Sequence, residues 1–115
     1  METVMIVDDE QYSHDFYHEM LEGTEYDVIS AYDSNEALSK LEVNRLVLIV
    51  IDSLAFQDID LTITGTEDGY SGYIENIPVI KAGDFFLQVV LVQTFLANRT
   101  SDIRKIKFTC ESRGP

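Results

Sequence analysis

The chain has 115 residues, with 21 Asp and Glu against 8 Lys and Arg and a formal net charge of −13. Hydrophobic residues make up 45% and charged residues 25%, close to a folded-domain average, so one compact domain is expected and disorder is not. So acidic a surface repels phosphate backbones, which argues against direct nucleic-acid binding and leaves cations as natural ligands.

The charge is unevenly placed. Residues 1–98 hold 19 acids and 3 bases (Lys40, Arg45, Lys81), whereas residues 99–115 hold 2 acids and 5 bases (Arg99, Arg104, Lys105, Lys107, Arg113). The plain reading of this basic stretch is a helix end or solvated tail; the other is a contact to the acidic body or to an acidic partner. Cys110 is the sole cysteine, which excludes an intramolecular disulfide. No apolar run approaches membrane-spanning length, and the N-terminus lacks a basic flank with an apolar signal core, so a cytoplasmic protein is expected.

Val4 to Val7 is an apolar run ending in Asp8, Asp9 and Glu10, and reads as a buried strand that delivers carboxylates at its C-terminal end. Tyr12, Phe16, Tyr17, Met20 and Leu21 recur at helical spacing, with Gly23 as the stop. Tyr26 to Ala31 is rich in β-formers. Asp33, with Glu36 three residues later, caps a helix over residues 34–43. Leu46 to Ile51 is apolar without alternation, as a central parallel strand covered on both faces requires, and it ends at Asp52. Strands alternating with helices predict a parallel sheet with right-handed crossovers.

After Asp52 the pattern blurs. Residues 57–76 are polar and interrupted by Gly65, Gly69 and Gly72, with Leu61 to Thr64 as a short strand option. Ile77 to Ile80 is another, with Pro78 at its start where a missing N–H costs least. Phe85 to Leu96 suits either a three-turn helix or a strand, and periodicity does not choose between them.

In an open parallel sheet, ligands gather outside the carboxyl ends of the strands where the chain order reverses. Asp8, Asp9 and Asp52 all stand at such ends. Three crowded carboxylates favour a raised pKa or a hard cation, and magnesium, which takes one or two carboxylates and completes its shell with water and phosphate oxygens, suits them.

Met5 to Glu10, the amphipathic helix after it, Val28 to Leu38 and the apolar strand ending at Asp52 together resemble the first half of a response-regulator receiver domain of two-component signalling. The resemblance covers residues 3–54, including the Asp9 to Asp52 separation, and weakens over residues 55–115 of a single receiver-like domain. It implies a flavodoxin-like α/β fold, a parallel sheet of order 2-1-3-4-5 with helices on both faces. It implies a phosphoryl group accepted by Asp52 from a histidine kinase or phosphotransfer protein, with Mg2+ held by Asp8, Asp9, Asp52 and the backbone carbonyl of Leu54. Catalysis would extend at most to this self-transfer and slow autodephosphorylation. With no output domain following, the signal would pass to a downstream protein partner, a homodimer being one option; a stand-alone regulator and a piece of a longer protein both fit.

A receiver also places a Ser or Thr after its fourth strand and a Lys after its fifth, and two registers compete for them. In the first, Ile77 to Ile80 is the fourth strand, Gly83 stands where the hydroxyl belongs, Phe85 to Asn98 is a helix, Ile103 to Phe108 is the fifth strand, and Lys105 or Lys107 is the lysine. In the second, Leu61 to Thr64 is the fourth strand with Thr64 as the hydroxyl, Ala82 to Leu87 precedes the lysine position, and Gln88 occupies it. The first fits the family's spacing better. Neither supplies both groups, which leaves open a degenerate receiver that works without phosphorylation as an interaction module, through its last strand and helix. A separate motif, His14-Asp15-Phe16-Tyr17-His18, resembles the HExxH of zinc peptidases with Asp for Glu; exposed polar residues on the first helix are the plainer explanation.

Overall fold

The computed structural model describes residues 2–52 and 72–99. In the first half the elements are β1 (Glu2–Val7), α1 (Gln11–Met20), β2 (Tyr26–Ala31), α2 (Ser34–Val43) and β3 (Leu46–Ile51), in the order and close to the bounds that the apolar runs predict. β4 (Gly72–Ile74), β5 (Ile77–Lys81) and α3 (Phe85–Arg99) follow. The proposed strands Leu61 to Thr64 and Ile103 to Phe108, and with them Leu54, Thr64, Lys105, Lys107 and Cys110, lie outside the described residues.

Local chemistry sets the helix ends. Asp33 caps α2 by accepting from the Glu36 N–H at 2.8 Å, and Glu36 reaches back to the Tyr32 N–H at 2.6 Å, one residue earlier than in a standard capping box. α1 ends at Met20, and Gly23 turns the chain at a φ of +80, a backbone region that glycine enters without steric cost. Phe85 onward is a helix. Asp84 starts it, its side chain accepting from the Leu87 N–H at 3.2 Å and its carbonyl from the Gln88 N–H at 2.9 Å. This aspartate is the sequence signal that separates helix from strand there.

The five strands form one sheet of order β2-β1-β3-β5-β4, parallel at every pairing except the antiparallel β4 and β5. The architecture is α/β and broadly flavodoxin-like. The expected order 2-1-3-4-5 holds for its first three positions. The fourth is Ile77 to Lys81, as the first register has it, but the outer position belongs to β4, which precedes that strand in the chain. The reason is the connection: β4 and β5 are joined by Glu75 and Asn76 alone, at φ of +49 and +69, a two-residue hairpin turn that makes neighbours antiparallel. Asn tolerates this conformation and Glu does so poorly, so Glu75→Asn is expected to raise the unfolding free energy by about 0.5–1 kcal/mol in urea titration.

Both faces of the sheet are covered. Val4, Ile6, Leu48, Val50 and Ile80 point to one face, where Tyr17 and Met20 of α1 and Val89, Val92 and Leu96 of α3 pack on them. Met5, Val7, Ile49, Ile51 and Val79 point to the other, with Ala37 of α2. This explains why β1 and β3 read as unbroken apolar runs. A register shift between Thr3 and Val4 lets β3 slip by one residue, so Leu46 joins the α2 face although Leu48 faces α1 and α3. Among the described residues, no helix is long and apolar enough to cross a membrane.

Candidate functional site

The chain runs from β1 outward to β2, then returns past β1 to β3, so the order reverses between β1 and β3 and leaves a crevice at their carboxyl ends. Backbone hydrogen bonds tie these ends in sequence: Asp8 N–H to the Ala31 carbonyl at 3.0 Å, Asp52 N–H to Val7 at 3.1 Å and Ala82 N–H to Ile51 at 3.1 Å. Asp8 and Asp52 are thereby fixed side by side. A carboxylate oxygen of each of Asp8, Asp9 and Asp52 can be chosen so that all lie within 4.8 Å of one another.

The three acids differ in setting. Asp8 is only 3% exposed; Asp9 is exposed and Asp52 half-buried. The Asp8 carboxylate accepts from the Glu10 N–H at 2.9 Å and from the Ser13 side chain, both of which favour its charged form. Burial outweighs them, and with the neighbouring Asp52 charge it holds the Asp8 carboxyl above the usual carboxylate range. A buried acid that has to be charged beside another acid is stabilised by a cation. The donors are hard oxygens with no sulfur or imidazole among them, which suits Mg2+ or a similar divalent ion rather than zinc.

Beside the acids lies a cavity of about 310 Å3 lined by Asp8, Glu10, Tyr12, Ser13, Asp52, Ala82, Gly83, Phe85 and Gln88. Gly83 from the first register and Gln88 from the second thus line the same cavity. Lys105 and Thr64, their intended counterparts, lie outside the described residues, as does Leu54. Gln88 is 2% exposed; its Oε1 accepts from the Tyr17 hydroxyl at 2.8 Å, and its Nε2 donates to the carbonyls of Ile51 at 3.4 Å and Ala82 at 3.3 Å.

Sequence reasoning missed two contributors, Ser13 and Tyr17. Tyr17 reads only as a helix residue, and Ser13, which has no reading of its own, stands five residues after Asp8 at the start of α1. Lys81 ends β5 opposite Ile51, and the cavity lining takes up the chain at the next residue, Ala82.

Among the described residues, neither histidine is gathered with the other ligands that a zinc site of the peptidase type needs. His14, expected to be exposed on the first helix, is fully buried, its Nε2–H donating to the Asp8 carbonyl at 2.8 Å and its ring 4.1 Å from that of Tyr32. His18 is exposed on the wall of a separate open cleft between α1 and β2. Among the described residues, the gathered metal-type ligands are Asp8, Asp9 and Asp52, with no histidine.

No family model matches the chain, and no curated protein or solved structure matches it.

Proposed function

We propose that this chain is a receiver-like signalling module that binds Mg2+ at Asp8 and Asp9 and accepts a phosphoryl group on Asp52 from a histidine kinase or phosphotransfer protein. The observation that carries this reading is the meeting of Asp8, Asp9 and Asp52 at the switch point between β1 and β3. The finer fold assignment, a receiver sheet, rests on the 2-1-3 order and on the parallel strand at the fourth position. A bound Mg2+ would offset the repulsion among the acids and neutralise charge on the transferring group.

The chain's own part is nucleophilic and positional. An Asp52 carboxylate oxygen attacks phosphorus, the P–N bond to the donor imidazole breaks, and the imidazole leaves with its electron pair and takes up a proton, giving an acyl phosphate. Glu10 N–H and Ser13 hold the Asp8 carboxylate in place meanwhile. The signal would then pass to a downstream protein partner.

The test is beryllofluoride, an acyl-phosphate analogue, with Mg2+. It is expected to raise the melting temperature of the chain by several degrees, about 4–8 °C per kcal/mol of binding linkage at this size, and Asp52→Asn is expected to abolish the rise. No shift in the unaltered protein refutes the phosphoacceptor.

A second reading, a degenerate receiver that binds a partner without phosphorylation, is favoured by Gln88. It is neutral, and both its amide hydrogens are spent on backbone carbonyls, so it offers a phosphoryl group nothing. On that reading the outward face of α3, where Phe86, Leu87 and Val90 are exposed, would be the contact surface.

A further inference from the structure

Resting on the cation site of the proposed function, we propose that Gln88 is a positioning residue for that site, acting through the backbone that carries Asp52, with Tyr17 fixing its amide. The Gln88 side chain bridges three elements: its Nε2 spans the Ile51 carbonyl at the end of β3 and the Ala82 carbonyl after β5, and its Oε1 takes the hydroxyl of Tyr17 on α1. Ile51 is the residue before Asp52, and its carbonyl also accepts the Ala82 N–H. The peptide leading into Asp52 is therefore held from two sides, while the Asp52 N–H is tied to Val7 on β1. Removing the amide frees one of these restraints and lets the carboxylate drift from Asp8.

The orientation of the amide is set by its partners. Two carbonyls can only accept, so the NH2 group faces them and Oε1 faces the phenol, which must donate. Burial and the nearby Asp8 charge push the Tyr17 pKa well above its ordinary value, so that phenol stays protonated and the arrangement has one solution. Gln88 has no amide hydrogen left for a ligand in the cavity, and so acts on the cation only by fixing the carboxylates around it. Groups of this kind typically change metal affinity by about 10- to 100-fold when removed.

Mn2+ binding to the whole chain, read by electron paramagnetic resonance, tests this. Gln88→Met keeps the side-chain length and removes the hydrogen bonds; it is expected to weaken Mn2+ binding about tenfold at a temperature where circular dichroism shows the variant folded. Tyr17→Phe, the milder change should Gln88→Met fail to fold, is expected to weaken it about threefold. Gln93→Met is the matched control, since Gln93 is a second buried glutamine on α3 that faces Met20 rather than the cavity. It is expected to lower stability and leave Mn2+ affinity unchanged. Wild-type affinity in Gln88→Met, or in Tyr17→Phe if that variant alone folds, overturns the inference and leaves the cation site standing; so does an equal loss in Gln93→Met. A wild-type chain that binds no Mn2+, or binds it equally after Asp52→Ala, overturns both the inference and the site it rests on.

Discussion

Magnesium at 100 times its dissociation constant is expected to raise the unfolding free energy by about 2.7 kcal/mol, and Asp8→Asn to remove most of that gain. Without the cation the same substitution is expected to stabilise the chain at neutral pH by roughly 1–2 kcal/mol, because it takes a buried negative charge away from Asp52 while an amide oxygen can still accept from Glu10 and Ser13. The sign follows from the raised pKa. Folded Asp8 holds its proton more tightly than unfolded Asp8 does, so cation-free stability falls as pH rises from the usual carboxylate pKa through the raised one, and the penalty is full above it. Mg2+ competes with that proton, so its stabilisation grows over the same window. Urea titrations from about pH 4 to about pH 7, with chelator and with Mg2+, read both trends. A cation-free chain that gains stability through this window, by an amount that Asp8→Asn removes, would show that Asp8 is not a strained acid.

Leu96→Ala is expected to cost about 3 kcal/mol, a large share of the stability of a domain this size. Leu96 is fully buried where α3 meets α1 and the sheet, in one cluster with Val4, Tyr17 and Leu48. Its truncation leaves a cavity walled by three elements that cannot collapse together. Val90, six residues earlier and exposed, is the counterpart: Val90→Ala is expected to change stability by no more than about 0.5 kcal/mol. Urea midpoints of the two variants report the orientation of α3. Equal losses at the two positions would mean that α3 presents a different face to the sheet.

Helix α3 shows where local pattern stops being informative. It is apolar nearly all round, so periodicity could not orient it, and its Val content matched a strand. The Asp84 cap and the burial of Val89, Val92 and Leu96 decide the matter, the first readable locally and the second only from the packed fold. The same holds for His14. A histidine among polar neighbours reads as exposed, but its position below Asp8 puts it inside, bonded to that residue's carbonyl.

The sequence by itself determined the first half of the sheet, because each of those elements carries its own signal: unbroken apolar strands, a capped α2, and acids at the ends of β1 and β3. The three carboxylates of the proposed site could be named from those ends alone. The tertiary structure decided what stands around them. Gln88 is 36 residues from Asp52 and Tyr17 is 35 on the other side, and no local pattern ties a buried amide to a distant carbonyl or phenol. It decided the outer sheet order too, since two residues between β4 and β5 force a hairpin where an alternating pattern predicts a crossover. Signals carried by the period of a single segment are legible in one dimension, whereas a cavity wall assembled from three stretches of chain, residues 8–13, 52 and 82–88, exists only once they pack.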